Sequence, residues 1–237
     1  MGFECVSRTH VGLRRKINED AVLVRTQRGL WVVADGMGGH EAGEVASAMV
    51  TDALSHIHLT ENLDQFVEQA VAALKAVNHQ LILLARQDAR PKTIGSTIVG
   101  LAIDTTRFRC FWAGDSRAYR IRGGQIQQLS KDHSLVQGLV DAGMITAEEA
   151  EHHPQSNVIT RAVGVVEDLQ VDTVAGDVQP GDYFLLASDG LTRLVPNDEL
   201  LAEITARPPE EAADRLLQMV LARGAPDNVS LVLISAT

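Results

Sequence analysis

Cysteine is nearly missing: Cys5 and Cys110 are the only two in 237 residues. Two thiols cannot build a disulfide framework, and such scarcity suits a reducing cytosol. Long apolar runs are missing as well, and Glu4, Arg8, Arg14, Arg15 and Lys16 interrupt the N-terminus. Neither a secretory leader nor a membrane span is expected. The opening Met-Gly is no myristoylation signal, because Val6 stands where Ser or Thr is required. Cationic residues are outnumbered, 21 Lys and Arg against 31 Asp and Glu, for a formal net charge of -10. That balance excludes general nucleic-acid binding, which needs a basic face, and suits a chain that gathers carboxylates around cations. Aromatic residues make up 4%, with no cluster that would mark a nucleobase pocket. Linkers, low-complexity runs and fixed-period repeats are missing too, so one domain over residues 1–237 is expected. The seven prolines are scattered except Pro208-Pro209, which reads as the opening of a late helix. What remains is 45% hydrophobic and 22% charged, an ordinary globular composition with enough length for a large core. A cytoplasmic monomer without nucleic-acid or membrane partners is the expectation.

Leu30-Trp31-Val32-Val33-Ala34 is an apolar, β-prone run short enough for a buried strand. It leads into Asp35-Gly36-Met37-Gly38-Gly39-His40-Glu41-Ala42-Gly43, and residues 44–59 then carry apolar side chains at helical spacing. A carboxylate thus stands at a strand end, glycines let the backbone approach a ligand, and a histidine follows ahead of a helix. Taken alone this is an ordinary turn, since Asp and Gly are the default turn residues. The same pattern recurs, however. Asp20 opens a strand over 21–25 at hairpin spacing from the Trp31 strand. Antiparallel pairing sets the start of one strand beside the end of its neighbour, so Asp20 and Asp35 should share one rim. The strand 183–187 runs into Ser188-Asp189-Gly190, and Asp227-Asn228 precedes a closing strand over 229–234. Gly114-Asp115-Ser116-Arg117 separates strands over 107–113 and 118–122.

The other segments read as an edge strand over 3–9, a long amphipathic helix over 63–90, and strands over 94–103, 125–129 and 169–174. Helices are expected over 196–206 and 208–223, one or two short helices over 134–151, and an irregular link over 154–160. The order of strands, helices, strands, helices and a final strand makes an α+β chain, with antiparallel sheets carrying helices on their outer faces. Four aspartates fall at strand boundaries in a phase that can gather them on one rim. Carboxylates so gathered repel one another and take on protons unless cations neutralise them. An all-oxygen set of this kind favours Mg²⁺ or Mn²⁺ over zinc.

Arg15-x-x-Asn18-Glu19-Asp20, Asp35-Gly36-Met37-Gly38-Gly39-His40, Gly114-Asp115-Ser116-Arg117, Ser188-Asp189-Gly190 and Asp227-Asn228 stand in one order along the whole chain. In that order and spacing the sequence resembles the metal-dependent (type 2C, or PPM) protein serine/threonine phosphatases in their compact bacterial form. The resemblance implies a four-layer α-β-β-α sandwich, two antiparallel sheets face to face with helices outside. It implies that Asp35 bridges two metal ions with the Gly36 carbonyl on the first, that Asp189 and Asp227 hold the second, and that Glu19 and Asp20 act through metal-bound waters. Asp115 with Asp189 matches a weaker third-metal site. Arg15 matches the arginine that grips the substrate phosphate, and His40 the proposed general acid. Residues near 134–160 correspond to a flap beside the active site.

The reaction so implied is Mn²⁺- or Mg²⁺-dependent hydrolysis of phosphoserine and phosphothreonine in proteins, the targets of a serine/threonine kinase. Two cations roughly 3.5–4 Å apart lower the pKa of a bridging water and stabilise in-line displacement by the resulting hydroxide. A guanidinium matches the phosphoryl oxygens bidentately. Other phosphate chemistries lack their residues. Neither cysteine is followed six positions later by arginine, because Val11 and Ser116 stand there, and no Gly-x-x-x-x-Gly-Lys-Ser/Thr loop is present. The alternatives are a catalytically weak phosphoprotein-binding regulator of the same fold, and a hydrolase of small phosphate esters. Asn18, Arg117 and Asn228 are read as residues that orient the loops.

Overall fold

Successive side chains of a strand point to opposite faces, so the unbroken apolar run Leu30–Ala34 needs cover on both sides. The computed structural model, which describes residues 2–38, 42–57, 62–87 and 93–237, supplies it. Leu30, Val32 and Ala34 pack with helical side chains such as Val50, Leu54, Phe66 and Leu74. Trp31 and Val33 face a second sheet, against Phe184, Leu186 and Val232. The closing strand mirrors this, with Leu231 and Leu233 toward Leu216 and Val220 and with Val232 and Ile234 toward the middle.

The described elements are β1 (Phe3–His10), β2 (Asp20–Arg25), β3 (Leu30–Gly38), α1 (Ala42–Ser55), α2 (Leu63–Gln87), β4 (Ile94–Ser96), β5 (Ile98–Ile103), β6 (Arg107–Ala113), β7 (Arg117–Arg122), β8 (Gln125–Gln128), α3 (Leu135–Asp141), α4 (Ala147–Glu151), β9 (Asp172–Asp177), β10 (Tyr183–Ala187), α5 (Asp189–Thr192), α6 (Asn197–Ala206), α7 (Pro209–Ala222) and β11 (Val229–Ala236). One sheet runs β1-β11-β10-β7-β8 and the other β2-β3-β5-β6-β9, with β4 on the far part of β3. The pairings are antiparallel throughout. Helices α1 and α2 cover one outer face and α5, α6 and α7 the other, which is the expected four-layer α+β sandwich. The few aromatic residues are concentrated in the seam between the sheets. Phe108 of β6 meets Phe184 of β10 edge to face at 5.2 Å, and Phe3 meets Trp31 at 5.9 Å. The buried rings of Trp31, Phe108 and Phe184 each contribute about 1.5–3 kcal/mol. Among the described residues no helix is long and apolar enough to cross a membrane.

Four expectations are corrected. Strand β3 does not end at Asp35: it continues to Gly38 by exchanging partners, with Asp35 opposite Asp20 on β2 and Gly36 opposite Ser96 on β4. The strand expected over 94–103 is broken at Thr97, whose backbone N–H and hydroxyl bond Asp35 instead of extending one ladder. The strand expected over 169–174 lies at Asp172–Asp177, because Leu169 is drawn into the core beneath α2 and a largely polar stretch pairs with β6 at the sheet edge. Helix α1 spans Ala42–Ser55 rather than 44–59, as Ile57 turns into the same core.

At the rim where β10 leads into α5, Gly190 lies against the backbone before β11. A Cβ there would sit 1.9 Å from Asn228 O, so Gly190→Ala should cost about 1–3 kcal/mol, the usual penalty for overpacking. Gly138 in α3 has nothing within 4 Å of such an atom, and Gly138→Ala should be neutral or stabilising by at most about 1 kcal/mol. Thermal unfolding followed by circular dichroism compares the two, at roughly 2–4 °C of Tm per kcal/mol for a chain of this length.

Candidate active site

The site is built where strand ends of both sheets meet. Asp20 and Asp35 are direct cross-strand partners. Gly36 N–H donates to Glu19 O at 3.1 Å, which holds the Glu19-Asp20 turn against β3. The passage is so tight that a Cβ on Gly36 would meet Gly43 O at 2.0 Å. Thr97 fixes Asp35 from the other side: its Oγ1 accepts from Asp35 N at 3.1 Å, its N–H donates to Asp35 O at 2.8 Å, and its hydroxyl meets Ser116 Oγ at 2.8 Å. Across the seam, Ser188 Oγ donates to Asp20 Oδ2 at 2.9 Å and accepts from Ser230 N at 2.9 Å, tying β2 of one sheet to β10 and β11 of the other.

Asn228 closes the arrangement. Its Nδ2 donates to Val11 O at 2.8 Å and Ile17 O at 3.0 Å, and its Oδ1 accepts from Glu19 N at 2.8 Å. One amide thus staples the loop that carries Arg15 to the start of β11. Asn18 Oδ1 accepts from Asp20 N at 3.2 Å. Arg117 holds Asp132 with Nε and Nη2, the shorter bond 2.7 Å, and this pair braces the Gly114–Arg117 turn against the segment before α3.

The protein packed around these carboxylates displaces their hydration, and that displacement is the main reason they hold protons tightly. The Asp20 carboxyl is pushed up to about 7, with Asp189 and Asp227 adding to the effect and the Ser188 and Ser230 hydrogen bonds opposing it. Asp115, also pushed up to about 7, is raised further by Asp189 and lowered by Arg193. Asp35 stands well above the usual carboxylate range, through lost hydration first and then through Asp189, Asp20, Asp115 and Asp227. Asp189 is raised by burial against the opposing pull of Arg193. Glu19 is raised by burial against a hydrogen bond from Gly43 N–H. Asp20, Asp115, Asp189 and Asp227 are therefore all within electrostatic reach of Asp35, and four of the five are the aspartates whose strand-boundary phase implied a shared rim.

Two arginines lie among them. Arg15 Nη2 is 2.8 Å from Asp227 Oδ2, both side chains well exposed. Arg193 Nε is 2.8 Å from Asp189 Oδ2, and its Nη2 is 3.2 Å from Asp115 Oδ2. Among the described residues no three His, Cys, Asp or Glu side chains draw together into a ready-made metal cage. Yet Asp20 Oδ1 and Asp115 Oδ1 are buried without a hydrogen-bond partner among those residues. A buried carboxylate oxygen without a donor costs free energy unless a proton or a cation compensates it, so the donor set fits a hard cation. His40 lies outside the described residues.

Arg193, Thr97, Ser188 and His133 were not singled out from the sequence. Arg193 carried a signal, since it stands four residues after Asp189, the spacing of neighbours on one helix face. Thr97 is a polar interruption of an apolar run. His133, whose Nδ1 accepts from Gly114 N at 3.1 Å and whose ring stacks on Trp112, had no local signal, because its partner is 19 residues away in the chain.

Asp20 and Asp115 fix the sign of a pH effect. Each binds its proton more tightly folded than unfolded, so its stabilisation is complete below about pH 4 and is lost as pH rises through about 7. In EDTA, Tm should fall by several degrees between pH 5 and pH 8, and Asp115→Asn should flatten that slope. Parallel slopes for the two proteins would mean that Asp115 is not among the groups responsible.

The sequence matches the protein phosphatase 2C family over residues 9–225. It is 36% identical over 233 residues to the protein phosphatase PhpP of Streptococcus pneumoniae, covering 96% of this chain and 95% of that protein. It is 36% identical over 226 residues to the serine/threonine protein phosphatase PstP of Mycobacterium tuberculosis, covering 95% of this chain and 43% of PstP. The chain thus spans less than half the length of that relative. Among solved structures, PppA, a key regulatory component of T6SS in Pseudomonas aeruginosa, matches with TM-score 0.92 and 41% identity, over 100% of this chain and 99% of that one. The catalytic domain of PstP in complex with two manganese ions matches with TM-score 0.88 and 33% identity, over 98% and 97% of the two chains. With its carboxylate rim between two helix-covered antiparallel sheets, this chain belongs to the protein phosphatase 2C family of metal-dependent serine/threonine phosphatases.

Proposed function

We propose that the chain hydrolyses phosphoserine and phosphothreonine esters in proteins, using two divalent cations, Mn²⁺ or Mg²⁺, at the carboxylate rim. The observation that carries this reading is the convergence of Asp20, Asp35, Asp115, Asp189 and Asp227, with two buried oxygens lacking any donor, in a chain of this family. Asp35, with the Gly36 carbonyl, and Asp189 and Asp227 would hold the two ions; Glu19 and Asp20 would act through their water ligands, and Asp115 with Asp189 would hold a weaker third ion. When bound, the cations supply Lewis acidity and lower the pKa of water, so that no protein nucleophile is needed.

The chain's own residues account for the rest. Arg15 sits exposed at the mouth of the site on a loop that Asn228 pins, within reach of Asp227. A phosphoryl group arriving there would meet a planar guanidinium whose paired N–H donors match two of its oxygens. Thr97 and Ser188 hold Asp35 and Asp20 in place, so that the carboxylates need not reorganise on substrate binding. His40 is the proposed proton donor to the leaving serine or threonine alkoxide, a poor leaving group. Residues 134–160, within one domain spanning the chain, would form a flap over the substrate. The flap begins and ends as a stitched pair, with Leu135 N–H donating to Val158 O at 2.9 Å and Thr160 N–H to His133 O at 2.8 Å. The fuller reading is a cytoplasmic monomer that opposes a serine/threonine kinase.

Hydrolysis of p-nitrophenyl phosphate and of a phosphothreonine peptide should require added Mn²⁺ or Mg²⁺ and vanish in EDTA. Asp189→Asn should lower kcat/KM by more than the roughly 10–100-fold that loss of a group merely supporting a metal ligand costs. Full turnover in EDTA, with metal analysis finding none bound, would overturn the reading.

Arg15→Ala should raise KM for phosphoesters and lower kcat/KM while Mn²⁺ affinity, measured by calorimetry, stays within a few-fold of the parent. Arg15→Lys should restore activity only in part, because the bidentate fork is lost. Unchanged kinetic constants in Arg15→Ala would make it a surface charge.

A further inference from the structure

Arg193 stands one helical turn beyond Asp189, and its N–H donates to Asp189 O at 3.0 Å at the end of α5. Leu191 and Val195 on either side are fully buried in the core beneath the β11 sheet, so the side chain leaves from a fixed point. Its guanidinium then does two things at once. Nε and Nη2 contact Asp189 and Asp115 at 2.8 and 3.2 Å. Nη1 donates to Asn157 Oδ1, and Nη2 lies 3.4 Å from Ser156 O. Asp115 comes from the turn between β6 and β7, Asp189 from the first residue of α5, and Ser156 and Asn157 from the returning arm of segment 134–160. One side chain therefore joins that arm to two carboxylates of the acidic rim. Only a guanidinium has enough donors in a rigid plane to serve carboxylates on one edge and an amide and a carbonyl on another.

We propose that Arg193 is a positioning residue that latches the returning arm of segment 134–160 onto Asp115 and Asp189, and that, as a tethered cation on this carboxylate pair, it competes with a free divalent ion. The latch stands on the contacts alone; the competition rests on the metal reading of the site. A short tether gives a group an effective concentration of the order of millimolar, so an ion must outcompete the tethered Arg193 and its apparent affinity at this pair is weakened accordingly. Linkage is reciprocal: an ion that takes Asp115 and Asp189 releases Arg193, and with it Ser156 and Asn157. The arm would then be held when divalent ions are scarce and freed when they are plentiful.

The test begins with hydrogen exchange on metal-free protein, comparing the parent with Arg193→Ala, Arg193→Lys and Asn157→Ala. Exchange in a peptide covering 154–160 should rise by roughly tenfold in Arg193→Ala, the change expected for loss of a charge-assisted hydrogen bond. It should rise less in Arg193→Lys and also rise in Asn157→Ala, which leaves both carboxylates untouched. Amides of β11 serve as the reference that the fold is intact. Calorimetric titration with Mn²⁺ should show a weak phase that tightens by about tenfold in Arg193→Ala, loosens in Asp115→Ala, and tightens by a smaller factor in Asn157→Ala, where an incoming ion has one bond fewer to break. Parent-like exchange of the 154–160 peptide in both Arg193→Ala and Asn157→Ala overturns the latch, and an unmoved weak phase in Arg193→Ala overturns the competition. Failure of the parent to bind any Mn²⁺ would instead be failure of the proposed function, which the exchange measurement, needing no metal, keeps distinct.

Discussion

Repulsion among neighbouring carboxylates is the interaction that the rest of this structure contains and directs. Asp35 is raised by Asp189, Asp20, Asp115 and Asp227 together, and a chain free to relax would move these groups apart into water. They stay together because the backbones that carry them are fixed by other bonds. Ser188 spans the two sheets to reach Asp20, Thr97 holds both backbone polar groups of Asp35, and Asn228 binds three separate backbone groups around the Arg15 loop. A site so restrained keeps its charges in place, the preorganisation that the proposed function would need.

Rigidity of that kind needs strands that cannot slide. A one-residue slip in β3 would exchange Val32 and Ala34 for Trp31 and Val33. Each set packs against its own layer, helices on one side and the second sheet on the other. Both faces of the strand therefore specify the register that sets Asp35 opposite Asp20. The interlocked rings of Phe108 and Phe184 fix the two sheets against each other in the same way, so the rim inherits its precision from the core.

Around the rim lies a second tier of charge that reaches into the segment 134–160. Arg117 and Asp132 link the Asp115 turn to the chain just before α3. His133 takes the Gly114 N–H and also meets Asp172 at 3.2 Å. Arg193 completes the tier from the far side. The segment is thus attached to the acidic rim at its start through Asp132 and His133, and at its return through Ser156 and Asn157, while α3 and α4 stand out between. Such an arrangement lets the middle of a loop vary while its two roots remain coupled to the site.

Local sequence was enough to set the class of fold and the phase of the carboxylates. Alternation and apolar runs depend on neighbours two to four residues apart, so the strands around Asp20, Asp35, Asp115, Asp189 and Asp227 were legible before any tertiary contact was known. That Asp20 and Asp35 share one rim followed as well, because hairpin spacing sets the start of one antiparallel strand beside the end of its neighbour. Other features were decided only when distant segments met. Whether β3 ends at Asp35 depends on a partner strand some sixty residues later, and the break at Thr97 exists because one threonine serves Asp35 rather than its own ladder. Strand β9 settled three residues beyond its expected start because Leu169 found a place under α2. The placement of Arg193 between Asp115, Asp189 and Asn157 joins residues up to 78 apart in the chain. Charge compensation depends on distance in space, and only the folded chain sets that distance.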